Sequence, residues 1–170
     1  MTDQVLRKGA GKCSLREGER MNTIILYASM HHGNTKQLTN RIIGRFPECK
    51  CVNVLSESID DLTRFDQIGF ASGIAFGKFY PQIEKVMKEL LPEGKNVFFI
   101  YTSGTKGKNY TKSVRAIAEE KGAKVLGEFG CRGFDTYGPF KIIGGLSRKH
   151  PNENDFSKAI EFFMNLSRSR

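Results

Sequence analysis

From residue 23 onward, short apolar runs alternate with stretches whose apolar residues recur at the helical period. Thr23-Ile24-Ile25-Leu26-Tyr27-Ala28 is apolar almost throughout, the pattern of a strand covered on both faces. Leu38, Ile42 and Phe46 then recur every four residues, which predicts a helix over 33–46 that Pro47 stops. Residues 50–55 read as a second strand. Ser58 and Asp61 have the Ser-x-x-Asp spacing of a helix start, with room for only a turn or two. Residues 67–72 read as a third strand. Pro81 is well placed at the first position of a helix with Ile83, Val86, Met87, Leu90 and Leu91 on one face, ended by Pro92.

Residues 96–101 predict a fourth strand. Val114, Ile117 and Ala118 mark the next helix, which Lys121 and Gly122 close with a cation and a C-terminal glycine. Residues 124–129 read as a fifth strand, and 131–151 as a long glycine-rich connection. A final helix carries Phe156, Ala159, Ile160, Phe163 and Met164 on one face, capped by Asn152 or Asn154. Five strands alternating with four or five helices predict an α/β fold, a parallel sheet with helices on both faces. Residues 1–20 follow neither period and are expected to be a disordered extension, with the folded domain over 21–170.

A chain of 170 residues is the size of one domain, and 39% hydrophobic with 26% charged residues is ordinary globular composition. No apolar run approaches the roughly 18 residues of a membrane-spanning helix. Residues 1–20 hold no apolar stretch between their charges, which argues against a secretory signal, so a cytoplasmic location is expected. The net charge is +9, of which residues 1–20 hold +2, leaving +7 on the body. Such a surface suits anionic cofactors, acidic proteins or nucleic acid. Cys49 and Cys51 are too close together for a typical zinc clamp, and a redox role for them would need a lowered thiol pKa.

In open α/β sheets ligands bind beyond the carboxyl ends of the strands, and three such ends here carry loops of hydroxyls and glycines. The first, Ser29-Met30-His31-His32-Gly33-Asn34-Thr35, leads into a helix whose unpaired N–H groups suit a phosphate. An N-capped helix without a ligand would use the same residues. Several competitors fall by inspection. There is no Gly-x-x-x-x-Gly-Lys-Ser/Thr, no cysteine followed six positions later by arginine, and no pair of acids after the first strand. No spacing joins His31, His32 and His150, so no metal site is expected.

The run Ile-Leu-Tyr-Ala-Ser-Met-His-His-Gly-Asn-Thr-Lys resembles the FMN-phosphate loop of the flavodoxin family, whose signature ends in Gly-Asn-Thr. The resemblance extends from Met21 to the final helix. Met30 and His32 stand where the commoner signature has threonines. What it implies is a three-layer flavodoxin-like fold, a five-stranded parallel sheet in the order 2-1-3-4-5, and a non-covalent FMN. Ser29, Met30, His31, His32, Gly33, Asn34 and Thr35 would surround the phosphate. Ser72, Gly73, Ile74, Ala75, Phe76 and Gly77 would face the reactive edge of the ring, with Gly73 or Gly77 turning a carbonyl and Phe76 or Phe79 covering a ring face. Thr102, Ser103, Gly104 and Tyr110 would meet the pyrimidine edge, while Lys106 and Lys108 would favour a reduced, anionic ring if they approach it.

The segment 131–139 is expected to form a wall of this site or a partner surface. The expected function is an electron carrier with no catalytic residue of its own, serving redox partner proteins that the basic surface would select as acidic. An FMN-dependent NAD(P)H reductase of quinones or similar acceptors is the alternative. A flavin-free basic binding or regulatory domain is a distant third. Neither a membrane nor nucleic acid is the expected partner, and monomer and homodimer both stay open.

Overall fold

A computed structural model of the chain describes residues 21–105, 107–136, 141, 142 and 144–166. The expected extension over 1–20 and Lys106 lie outside the described residues. β1 (Thr23–Ala28) is buried along its whole length, as its unbroken apolar pattern requires. It pairs in parallel with β2 (Lys50–Asn53) on one side and β3 (Gln67–Ala75) on the other. β3 pairs in parallel with β5 (Asn96–Ser103), and β5 with β6 (Lys124–Arg132). The order is β2-β1-β3-β5-β6, the 2-1-3-4-5 arrangement of the five long strands. β4 (Lys78–Phe79) is an additional two-residue strand that folds back antiparallel on β3.

Among the described residues four α-helices cover the sheet: α1 (Asn34–Arg45), α2 (Pro81–Leu90), α3 (Lys112–Glu120) and α4 (Glu153–Leu166). Alternation along the strands splits the core into two layers. Ile24, Leu26, Ile68, Phe70, Val97 and Phe99 pack with Ile83 and Met87 of α2 and Val114 and Ile117 of α3. Ile25, Tyr27, Ala71, Phe98 and Ile100 pack with Leu38 and Ile42 of α1 and Phe156, Ala159 and Phe163 of α4. Gly69 lets the Phe98 ring lie directly on the sheet, because a methyl group there would collide with it.

Local chemistry explains where the sequence reading and the fold part company. Asp61, not Ser58, opens the short helical piece. Its carboxylate accepts from Thr63 N at 2.9 Å and starts one 3-10 turn, Leu62–Arg64. Of the two candidate caps on α4, Asn152 does the work, its Oδ1 accepting from Asn154 N at 3.0 Å and Asp155 N at 3.2 Å. The second strand is shorter than expected, whereas β3 and β6 each run three residues further. The face of α2 is narrower than its period suggests, with Leu90 exposed. No helix among the described residues is long and apolar enough to cross a membrane.

The thiols are shielded. Burial pushes Cys49 and Cys131 up to about 12 and Cys51 up to about 11, the opposite of what a reactive pair needs. Burial also raises Tyr27, Tyr80 and Tyr101. As pH rises past the thiol's ordinary 9.0, the unfolded chain loses these protons first, so the unfolded state gains. Stability is therefore expected to be unaffected by these groups below about pH 9 and to fall steadily toward pH 11. Urea midpoints measured from pH 7 to 11 check this; a flat profile would contradict it.

Candidate functional site

Because β1, β3 and β5 are parallel, the loops that follow them leave the sheet at the same edge. There they enclose a cavity of about 310 Å3. Each wall can be traced to its residues.

The first wall is the turn from β1 into α1. His32 and Gly33 both adopt left-handed backbone (φ 53° and 66°), which turns the chain sharply into the helix. The N-cap residue of α1, Gly33, has no side chain to cap it, and the first turn has no acidic residue. Gln37 N bonds to Gly33 O at 2.8 Å and Lys36 N to Ser29 Oγ at 3.3 Å. That leaves the first two helical N–H groups, those of Asn34 and Thr35, without a partner inside the helix. Ser29, His31, Asn34 and Thr35 line the cavity; Met30, His32 and Gly33 do not. Thr35 is only 1% exposed, and its hydroxyl shares a 3.0 Å hydrogen bond with Thr102 Oγ1, which ties the first wall to the third.

The second wall is a tight hairpin rather than an open loop. Ala75 pairs with Lys78, and the two residues between them, Phe76 and Gly77, both have positive φ (51° and 76°). That is the two-residue turn matching strand twist, and a glycine at its second position is preferred. Gly73, Ile74, Ala75, Phe76 and Gly77 line the cavity. Gly73 and Gly77 are glycines for different reasons. A methyl on Gly73 would strike the Tyr80 ring, whereas Gly77 stands in open space and needs its left-handed backbone. Phe76 is 85% exposed at the rim, while Phe79 is core, packed edge-on to Phe99 and Tyr101. Ser72 is fully buried and off the cavity. Its hydroxyl donates to Gly73 O at 2.6 Å and accepts from Tyr80 N at 2.9 Å, bracing the hairpin base.

The third wall follows β5. Thr102, Ser103, Gly104, Thr105 and Tyr110 line the cavity. Ser103 Oγ donates to Thr105 O at 2.8 Å, and Tyr110 OH lies 3.1 Å from Thr105 Oγ1, so the loop is held by its own hydroxyls. The Tyr110 ring meets Tyr101 edge-on at 5.6 Å. Lys108 is exposed and away from the cavity.

A fourth wall comes from the connection after β6, where Phe134 and Asp135 line the cavity. This short stretch is stitched to its neighbours. Asn34 Nδ2 donates to Phe134 O at 2.8 Å, Gly133 N donates to Ser103 O at 3.0 Å, and His32 Nε2 lies 2.8 Å from Thr136 Oγ1. The side chain of Asn34 is thereby committed to the protein itself. Tyr80 also lines the cavity, and burial with the nearby charge of Asp135 raises its phenol above the usual value. Of the segment 131–139, expected as a wall or a partner surface, Phe134 and Asp135 line the cavity, Thr105 joins them from within the third loop, and Tyr80 is the lining residue that the sequence reading missed. Tyr80 reads there only as the residue before a helix, and nothing local places 134 and 135 beside residue 34.

Fold and site together define a flavodoxin-like α/β domain. Residues 24–135 match the Flavodoxin domain family, and the chain belongs to it. An uncharacterized protein of Methanocaldococcus jannaschii is 39% identical over 144 residues, which cover 84% of this chain and 95% of that one. A solved flavodoxin from the domain Archaea has a TM-score of 0.63 at 16% identity, over 86% of this chain and 96% of its own. A Fusobacterium nucleatum flavodoxin variant bound to flavin mononucleotide has a TM-score of 0.60 at 19% identity, over 87% and 96%. At such identities the structures share the fold.

The role of Ser72 can be checked directly. Ser72→Ala leaves the buried Tyr80 N–H without its acceptor and is expected to cost about 1–3 kcal/mol of stability. Chemical denaturation measures it, and a loss well below 1 kcal/mol would mean that the brace carries no weight.

Proposed function

We propose that this chain binds FMN non-covalently in the cavity and acts as an electron carrier. One observation carries the reading: the loops after β1, β3 and β5, built from hydroxyls, glycines and a helix N-terminus, converge on a single hollow. The groups fit the cofactor's two ends. The N–H groups of Asn34 and Thr35, which have no partner inside the helix, with the hydroxyls of Ser29 and Thr35, are donors for a phosphate, and no acid in the first turn opposes it. Tyr110, Phe76 and Phe134 offer aromatic surface for a flat ring. Of the two glycines, Gly77 is the one free to turn a peptide towards the ring, since its surroundings are open and its backbone is left-handed.

Bound there, FMN supplies reversible uptake of electrons, and the protein supplies orientation and electrostatics. Thr35 and Thr102, joined by their hydroxyl bond, hold the phosphate and ring walls in register. Phe76, exposed and on the cavity wall, would border the bound ring. The net charge of +9 favours acidic redox proteins as partners and a reduced, anionic cofactor.

The absorbance spectrum of protein titrated with FMN tests the reading; a spectrum identical to free FMN with no measurable binding would sink it. Thr35→Ala should weaken FMN about 10–100-fold, the worth of a charge-assisted donor, and riboflavin less than about 3-fold. Equal losses for the two ligands would place the hydroxyl away from the phosphate. Bleaching of bound FMN by NADH or NADPH alone would favour a reductase over a carrier.

A further inference from the structure

We propose a second ligand site, for a small aromatic carboxylate, in the hollow on the other side of the β5–α3 loop from the first cavity. It has a volume of about 680 Å3. Ser103, Thr105 and Tyr110 face both hollows, so this loop is a partition with a pocket on each side. Nothing in the proposal depends on what fills the first cavity.

The apolar part is aromatic. Tyr101, Tyr110 and Phe129 line the hollow. The Tyr101 ring comes close to Gly130 of β6, where a methyl group would run into it. Tyr101 and Tyr110 meet at 78°, which makes an aromatic corner rather than a flat surface. A planar ligand can stack on one ring and present its edge to the other.

The charged part is cationic. Arg132 from the end of β6 and Lys158 from α4 line the hollow, and neither forms an ion pair among the described residues. The one carboxylate on the wall, Asp155, is already committed. It accepts from His150 Nδ1 at 2.6 Å and from Asn152 N at 2.9 Å. Cys131 adds no charge, since burial pushes its thiol up to about 12. Two cations that are in no ion pair, against one carboxylate already bonded to His150 and Asn152, leave the wall net positive beside an aromatic corner and select a flat body with one anionic end. The His150–Asp155 pair fixes the rim of the hollow where the connection after β6 meets α4.

Titration of the 15N-labelled protein with 2-naphthoate, 2-naphthamide and acetate tests the site. The expected result is saturable binding of 2-naphthoate, at least about tenfold tighter than the uncharged amide or acetate, one such step being about 1.4 kcal/mol. The shifted amides should include Gly130, Cys131 and Asn154. In the double variant Arg132→Gln/Lys158→Gln, 2-naphthoate should weaken at least about tenfold while FMN affinity stays unchanged, since neither residue lines the first cavity. Three results would overturn the proposal: equal affinity for naphthoate and naphthamide, no loss in the double variant, or shifts centred on the 73–77 hairpin. Failure of FMN to bind would leave the naphthoate result standing, so the two readings fail separately.

Discussion

Parallel pairing of β1, β3 and β5 is the constraint on which the rest depends. Parallel strands must be joined by crossovers, and every crossover in this sheet leaves from the carboxyl edge. Three loops are therefore delivered to one edge, in a sheet buried on both faces and too rigid to let them drift apart. The order β2-β1-β3-β5-β6 places β1 and β3 side by side at the point where the winding reverses. A crevice opens at such a point because the connections on either side turn away from each other. The cavity is a consequence of the sheet before it is a property of any loop.

Short-range polar bonds then turn a crevice into a defined wall. Several residues whose type suggests ligand contact serve the protein first. Ser72 holds the hairpin to the start of α2, and Asn34 holds the connection after β6 against the first loop. A buried hydroxyl or amide that satisfies a backbone group removes a desolvation cost and also removes a degree of freedom. The backbone amides of Asn34 and Thr35, which have no partner inside α1, remain as donors at the start of that helix. Some side chains, such as Ser72 and Asn34, fix the walls, while others, such as Ser29 and Tyr110, line the hollow beside the main-chain groups.

The loop from Ser103 to Tyr110 has an unusual position in this scheme. It divides two hollows and is held by hydroxyl bonds among Ser103, Thr105 and Tyr110 rather than by a packed core of its own. β5 beneath it is buried along most of its length. A ligand on either side meets the same few side chains, so the two hollows share a physical boundary.

How much was legible in the sequence follows from which forces are local. Alternating apolar runs and helical periods specified the five long strands, the four helices and the layered class, while hydroxyls and glycines at the strand ends marked the three chemistry-bearing loops. Those patterns are set by burial of neighbours along the chain, and Leu38, Ile42, Val114 and Phe156 are buried where the period put them. Glycines could be found but not explained: Gly73 and Gly77 look alike until Tyr80 is seen against one and a left-handed turn at the other. Phe76 and Phe79 likewise separate into rim and core only when β4 folds back on β3. The fourth wall, Phe134 and Asp135, depends on bonds between residues about a hundred positions apart, such as Asn34 to Phe134. No local pattern encodes such a pairing, because it exists only once the sheet has brought the two segments to the same edge.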